Sequence, residues 1–229
     1  MPAEGVGPAT RHPVVVSVPE IRDYLQINRR LTQLLDAGVQ SIRLVGVERQ
    51  RLLVSGLNGS WSATIEVDGF AGPELGAGLD APHLVVVANC ANDGIGSGLK
   101  AGMLVLTGES GCCAGYSQEG GQIVLLGATG GRAGLEQRSG TLVLAGPSGP
   151  LCGERQRGGA LVLLGPTDPH ELGYARLGGR LESPEGRIRG TSPLSEATRT
   201  LFAELHTLSG VPPAVSLDLE SRACGGHAA

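Results

Sequence analysis

Aromatic residues are scarce in this chain: one tryptophan, three tyrosines and two phenylalanines make up 3% of its 229 residues. Large aromatic side chains dominate the cores of most β-sandwiches and barrels, and the small number in this chain argues against those folds. The interior of a β-helix is narrow and is filled by stacked valine, isoleucine and leucine. The scarcity of aromatics is therefore compatible with a solenoid.

The chain also lacks a strong charge and a long apolar run. Its net charge is −4, from 18 basic and 22 acidic residues, which favours neither nucleic acid nor an anionic membrane as a partner. No run approaches the ~18 apolar residues of a membrane span, and Met1 to Pro13 has no apolar core of a signal peptide. We therefore expect a cytoplasmic protein with no nucleic-acid and no membrane partner.

The cysteines form no recognisable site. They are odd in number, and no two are spaced as C-x-x-C, which favours a reducing compartment over a disulfide framework. Metal ligands must converge on one ion, and neither these cysteines nor the scattered histidines are spaced to do so. We expect no catalytic, cofactor-binding or metal-ligating residue in this chain. The cysteines are Cys90, Cys112, Cys113, Cys152 and Cys224.

Glycine, by contrast, is abundant and periodic. Of 38 glycines, many return every 19 residues at the end of a short aliphatic strand, and a fixed period of this length is typical of a solenoid. The expected fold class is all-β: a single-stranded right-handed parallel β-helix of about seven coils, flanked by an N-terminal and a C-terminal helix. Left-handed acyltransferase helices repeat every six residues, which this chain does not. The residues that end the six strands are Gly69, Asn89, Gly108, Gly127, Gly146 and Gly165.

These six end residues are predicted to be structural turns. Each corner of a tight coil needs a left-handed backbone or a close approach to the neighbouring coil, and glycine permits both. Asn89 replaces the one missing glycine, because asparagine tolerates the left-handed region.

The chain divides into three parts. Residues 1–40 are predicted to hold a disordered start and an amphipathic capping helix, opened by Ser17 and ended by Gly38, with Leu25 on its apolar face. Residues 41–181 are the glycine-rich β-helix, and residues 182–229 are a C-terminal helix, opened by Ser192-Pro193 and ended by Gly210, with a mobile tail.

A stacked column of valines is the most informative surface prediction. Counting back from each end residue, positions −4 and −2 are aliphatic and are predicted to face inward, so position −3 faces outward. That position is Glu66 in the first full coil but valine in the next five, and an outward apolar strip marks an interaction surface. We hypothesise an interface here, with the chain's own helices as the alternative cover. The five residues are Val86, Val105, Val124, Val143 and Val162.

Two segments resemble a known family. Gly94-Ile95-Gly96-Ser97-Gly98, followed by a strand ending at Gly108, resembles the GXGXG repeat of the β-helix domain in the glutamate synthase large subunit and in stand-alone subunits of the N-methylglutamate synthase type. The segment Ile27-Asn28-Arg29-Arg30-Leu31 resembles the helix that precedes the coils in those stand-alone subunits. The C subunit of formylmethanofuran dehydrogenase is a further relative. The resemblance covers about residues 20–180.

The resemblance implies a role without catalysis by this chain alone. In that family the β-helix holds together a glutaminase and an FMN-containing synthase, so the expected function is a scaffold subunit of a glutamate synthase-like oxidoreductase complex in glutamate biosynthesis. FMN and iron–sulfur clusters would then lie in partner subunits. Residue 2 is proline rather than the cysteine nucleophile of such glutaminases, and no stretch is long enough for a flavin-binding barrel.

Two alternatives stay open. One is the β-helix subunit of a formylmethanofuran dehydrogenase-type complex, with a formyltransferase–hydrolase partner. The other is a self-assembling structural β-helix, because the ends of a solenoid expose unpaired strand edges and favour homo-oligomers unless they are capped.

Overall fold

This computed structural model describes residues 12–205, most of which wind into a solenoid of about seven turns built on one parallel sheet. Its nine strands follow one another in chain order, and each is parallel to the next. The predicted β-helix is confirmed. The strands are β1 (Val14–Ser17), β2 (Ser41–Glu48), β3 (Ala63–Ala71), β4 (Asp80–Ala91), β5 (Ala101–Leu106), β6 (Gln122–Leu125), β7 (Thr141–Leu144), β8 (Ala160–Leu163) and β9 (Arg180–Glu182).

The 19-residue period is the offset between paired residues of neighbouring coils. In β6 and β7, Ile123 pairs with Leu142 and Leu125 with Leu144, and the same offset joins β7 to β8. The turns between strands are also bonded from coil to coil: the Gly153 N–H donates to the Ala133 carbonyl at 2.8 Å. Most backbone polar groups of a coil are thus satisfied by the coils above and below, which makes the solenoid stiff.

The lumen is a single aliphatic column. Alternate residues of each strand point inward, as the period of two in a strand requires. The central column shows almost no solvent exposure from end to end. It consists of Ile42, Ile65, Val86, Leu104, Ile123, Leu142, Leu161 and Leu181.

The N-terminal helix is broken in two, which the sequence analysis did not predict. Helix α1 (Val18–Ile21) ends at Arg22, whose φ is 63°, and α2 (Tyr24–Asp36) begins after Asp23, whose carboxylate accepts from the Leu25 N–H at 3.0 Å. Ser17 stands at the N-cap position of α1 as predicted, with Pro19 in the first turn, but its side chain makes no cap hydrogen bond and the residue also ends β1. Leu25, predicted to lie on the apolar face, is exposed.

Helix α2 closes the first end of the lumen. Its buried apolar side chains, from Ile27 to Leu35, belong to the same core as the coils. Gly38 ends the helix as predicted, with a φ of +80° and its N–H donating to the Leu35 carbonyl at 2.9 Å.

The C-terminal helix begins later than predicted. Helix α3 (Glu196–Leu205) starts after Ser195, whose hydroxyl accepts from the Thr198 N–H at 3.3 Å. Ser192 does not cap it, since it bridges to Glu182 at the end of the sheet. Two short 3₁₀ helices, Pro169–Glu171 and Pro184–Gly186, lie before it. The predicted disordered start (apart from His12 and Pro13), the predicted stop at Gly210 and the predicted mobile tail lie outside the described residues.

Candidate docking surface

The predicted valine strip lies under the protein's own C-terminal helix. Val105, Val124, Val143 and Val162 do face outward from the sheet, but each is at most 1% exposed. They pack against apolar side chains of α3 and of the segment just before it, and form a second apolar cluster that is separate from the lumen. The hypothesis that a partner protein contacts these valines is therefore corrected. A helix of the same chain, which was the alternative, lies over them. The covering residues are Leu194, Leu201, Phe202 and Leu205.

The fifth residue of the predicted strip, Val86, points the other way. It pairs with Ile65 on one side and Leu104 on the other, both of which face the lumen, and it is itself buried there. Val85 and Val87, predicted to face inward, are the outward residues of β4. The cause is a register shift: Val86 lies three residues before Asn89, whereas its partner Leu104 lies four residues before Gly108, and a shift by one exchanges the two faces.

Glu182 holds the first turn of α3 against the last strand. The side chain is fully buried, and its Oε2 accepts from the Ser195 N–H at 3.0 Å, the Ser195 hydroxyl at 3.1 Å and the Thr198 hydroxyl at 2.7 Å. The other oxygen accepts from Arg180 Nε at 3.0 Å. A carboxylate at the N-terminus of a helix is further stabilised by the helix dipole.

These contacts decide the charge state of Glu182. Burial alone would raise its pKa, but the hydrogen bonds from Ser195, Thr198 and Arg180 together hold the pKa below its ordinary value. The group is therefore a buried carboxylate that is charged at neutral pH. The sequence gives only a weak signal of this role, since Glu182 occupies the outward position that valine fills in the preceding coils.

A column of buried glutamines, which the sequence analysis missed, crosses the last coils. Gln118, Gln137 and Gln156 are fully buried and lie 19 residues apart. Gln137 Nε2 donates to Gln118 Oε1 at 3.1 Å, and Gln156 Nε2 donates to Gln137 Oε1 at 2.9 Å. Arg176 Nε donates to Gln156 Oε1 at 3.0 Å and ends the column. Leu79 and Leu99 occupy the same place in earlier coils.

The strand-end glycines serve close approach rather than a left-handed backbone. A Cβ at Gly127 would overlap the carbonyl of Gly108, and one at Gly146 would overlap that of Gly127. Of the five glycines among the predicted turns, only Gly69 has a left-handed φ, at +128°. The expectation for Asn89 is wrong, because it is not left-handed.

The GXGXG segment contains the left-handed glycines instead. Gly94, Gly96 and Gly98 have φ values of 72°, 64° and 62°. A Cβ at Gly96 would lie 2.5 Å from the Cδ1 of Ile123 in the lumen, whereas one at Gly98 would meet nothing within 4 Å. The middle glycine is thus required by space, and later coils keep it while the outer two positions carry other residues at positive φ.

The asparagine of the Ile27–Leu31 segment joins α2 to the first coil. Asn28 Nδ2 donates to the Leu52 carbonyl at 2.8 Å, and its Oδ1 accepts from the Val54 N–H at 2.8 Å. The Asn28 side chain is 9% exposed. It thereby pairs backbone groups of the first coil that have no earlier coil to bond.

No clustered metal site occurs in residues 12–205: no three His, Cys, Asp or Glu side chains there are grouped so as to hold an ion. Burial raises the pKa of the Cys113 thiol, and neighbouring Cys112 adds to that rise. The buried Cys152 thiol donates to the Gly149 carbonyl at 3.1 Å. Cys224 lies outside the described residues.

Comparison with known proteins finds no matching family model, no matching curated protein and no matching solved structure. In the described part of the chain, the helices are all too short or too polar to cross a membrane.

Proposed function

We propose that this chain is a non-catalytic scaffold subunit of a glutamate synthase-like complex, on which glutaminase and FMN-containing synthase subunits dock. The observation that carries the proposal is the role of Asn28. In the resemblance, the segment Ile27–Leu31 points to the stand-alone glutamate synthase-type subunits. Here its asparagine bonds the backbone at Leu52 and Val54 and seals the first coil.

The GXGXG segment supports the same proposal by a separate route. Gly94, Gly96 and Gly98 all have left-handed φ values, which glycine adopts at little cost. The motif therefore builds a corner of one coil, which is the role that the resemblance implies.

The stiffness of the solenoid suits a scaffold. Neighbouring coils are joined by strand pairing and by backbone hydrogen bonds at the turns, so distant surface points stay at fixed distances from each other. Any FMN or iron–sulfur cluster would belong to the partner subunits, and the complex would be cytoplasmic.

The test is isolation of the tagged chain from its source organism, followed by identification and reconstitution of what co-purifies. We expect a flavoprotein synthase and a class II glutaminase in fixed stoichiometry, with glutamine-dependent glutamate formation that is lost when this chain is omitted. Co-purification of an amidohydrolase-like subunit and a formyltransferase would instead assign the chain to a formylmethanofuran dehydrogenase-type complex. Homopolymers of the chain alone would make it a structural β-helix. Either result refutes the proposal.

A further inference from the structure

One edge of the sheet, at β1, lies next to a groove. Within residues 12–205, β1 pairs with β2 alone, so its other side offers unpaired backbone N–H and C=O groups. A groove of about 480 Å³ lies between this strand and α2. It is lined by Val15, Val16 and Ser17 on one side, and by Gln26, Arg29 and Arg30 on the other.

The side chains around the groove are both apolar and basic. Val15 is 60% exposed, which is unusual for a valine in a strand. Arg29 and Arg30 are exposed and form no ion pair with any part of the chain that the structure describes, and Glu20 is the single carboxylate among the lining residues. Both arginines line the groove from the α2 side.

We propose that this groove binds an extended, acidic segment of a partner protein, which adds to the sheet beside β1. Backbone hydrogen bonds to the open edge supply affinity that is independent of sequence, and alternate side chains of the added strand supply specificity. Aliphatic side chains would pack on Val15, and carboxylates would meet Arg29 and Arg30. The inference rests on the proposed scaffold function, since it names the surface where a partner docks.

A second copy of the chain fits this edge poorly. Pairing of two β1 strands about a two-fold axis would bring the arginines of both copies to one junction, and like charges across an interface are strongly unfavourable. The lumen at this end is also already closed by Ile27, Leu31 and their neighbours on α2. End-to-end stacking would therefore bury little additional apolar surface here.

The test measures binding of short capped peptides to the full chain by fluorescence anisotropy. Three sets of seven-residue peptides alternate valine with Asp or Glu, with Asn or Gln, and with Lys or Arg. We expect the acidic set to bind with Kd values on the order of micromolar. Binding should weaken as salt rises, because exposed charges are screened. N-methylation of alternate peptide amides should abolish it, because the edge hydrogen bonds are lost.

Charge reversal on the chain supplies the matched control. The double change Arg29→Glu and Arg30→Glu should raise the Kd of the acidic peptides by about tenfold or more and leave the melting temperature of the chain unchanged. Arg157 is an exposed arginine on a distant coil, and it also forms no ion pair with described residues. Arg157→Glu should therefore leave the Kd of the acidic peptides unchanged.

Three results would overturn the inference. The first is equal Kd values for the acidic and the basic peptides. The second is a Kd above about 1 mM for every peptide, and the third is a dimer of the chain that Val15→Asp converts to monomer. The first two leave the scaffold proposal standing, because subunits could still co-purify through another face. The third would assign the edge to a second copy.

Discussion

Removal of the Glu182 carboxylate should release α3 from the sheet. In Glu182→Ala, the Ser195 N–H, the Ser195 hydroxyl and the Thr198 hydroxyl lose their common acceptor. Hydrogen bonds to a charged group contribute about 1.5–3 kcal/mol each, and the three share one oxygen, so we expect a total loss of about 3–5 kcal/mol. Such a loss would favour the released helix by more than about a hundredfold.

The effect should be local, because α3 and the lumen belong to separate apolar clusters. Hydrogen exchange read by mass spectrometry should show faster exchange at Leu201 and Leu205, with little change in β6 and β7. Glu119→Ala is the matched control: its carboxylate forms a surface ion pair with Arg138 at 2.7 Å, and such pairs contribute at most about 1 kcal/mol.

The same carboxylate predicts acid sensitivity. Because the pKa of Glu182 is lower in the folded chain than its ordinary value of 4.5, its stabilisation is complete above that value. The stabilisation is lost as the pH falls through the lower folded pKa. Exchange in α3 should therefore accelerate below about pH 4.5 in the wild type, and Glu182→Gln should remove that acid dependence. The reasoning would be refuted if hydrogen exchange in α3 were unchanged in Glu182→Ala. It would also be refuted if exchange in α3 accelerated at the same pH in Glu182→Gln as in the wild type.

Three further changes test the outer layer, the glutamine column and the turns. Val143→Lys should lower the melting temperature and free α3, because the charge would be buried beneath the helix without a partner; an unchanged melting temperature would contradict the cover. Gln137→Leu should destabilise the fold by about 1–3 kcal/mol, whereas changing all three glutamines of the column to leucine should cost less, since no amide is then left unpaired; urea unfolding measures both. Gly127→Ala should destabilise the fold more than Gly98→Ala, since only the first places a methyl group against neighbouring backbone. Equal melting temperatures for the two glycine variants would show that close approach at Gly127 costs no more than the left-handed backbone costs alanine at position 98.

The sequence alone was sufficient to predict the solenoid. Its 19-residue period became the strand offset, because each coil bonds mainly to its neighbours and the pattern that defines one coil also defines its pairing. Gly108, Gly127, Gly146 and Gly165 follow strand ends for the same reason, whereas Gly69 lies within β3. The cause at Gly127 and Gly146 is close approach and not a left-handed backbone.

The direction of individual side chains needed the register. Val86 lies inside rather than outside because it is only three residues before Asn89, whereas Leu104 is four residues before Gly108, and counting from the strand end cannot reveal such a register shift. The break at Arg22 was missed in the same way: the apolar spacing continues across it, and only the backbone reveals the positive φ of Arg22 that separates α1 from α2, which Asp23 caps.

Contacts between distant segments were decided only by tertiary structure. The valine strip indicated that something apolar covers the sheet, but the choice between a partner and α3 depended on where the chain returns after β9. Glu182 and Gln137 look like ordinary polar residues in the sequence. Their roles arise because coil stacking and the return of α3 bring donors from residues far along the chain to buried oxygens, and no local pattern encodes that meeting.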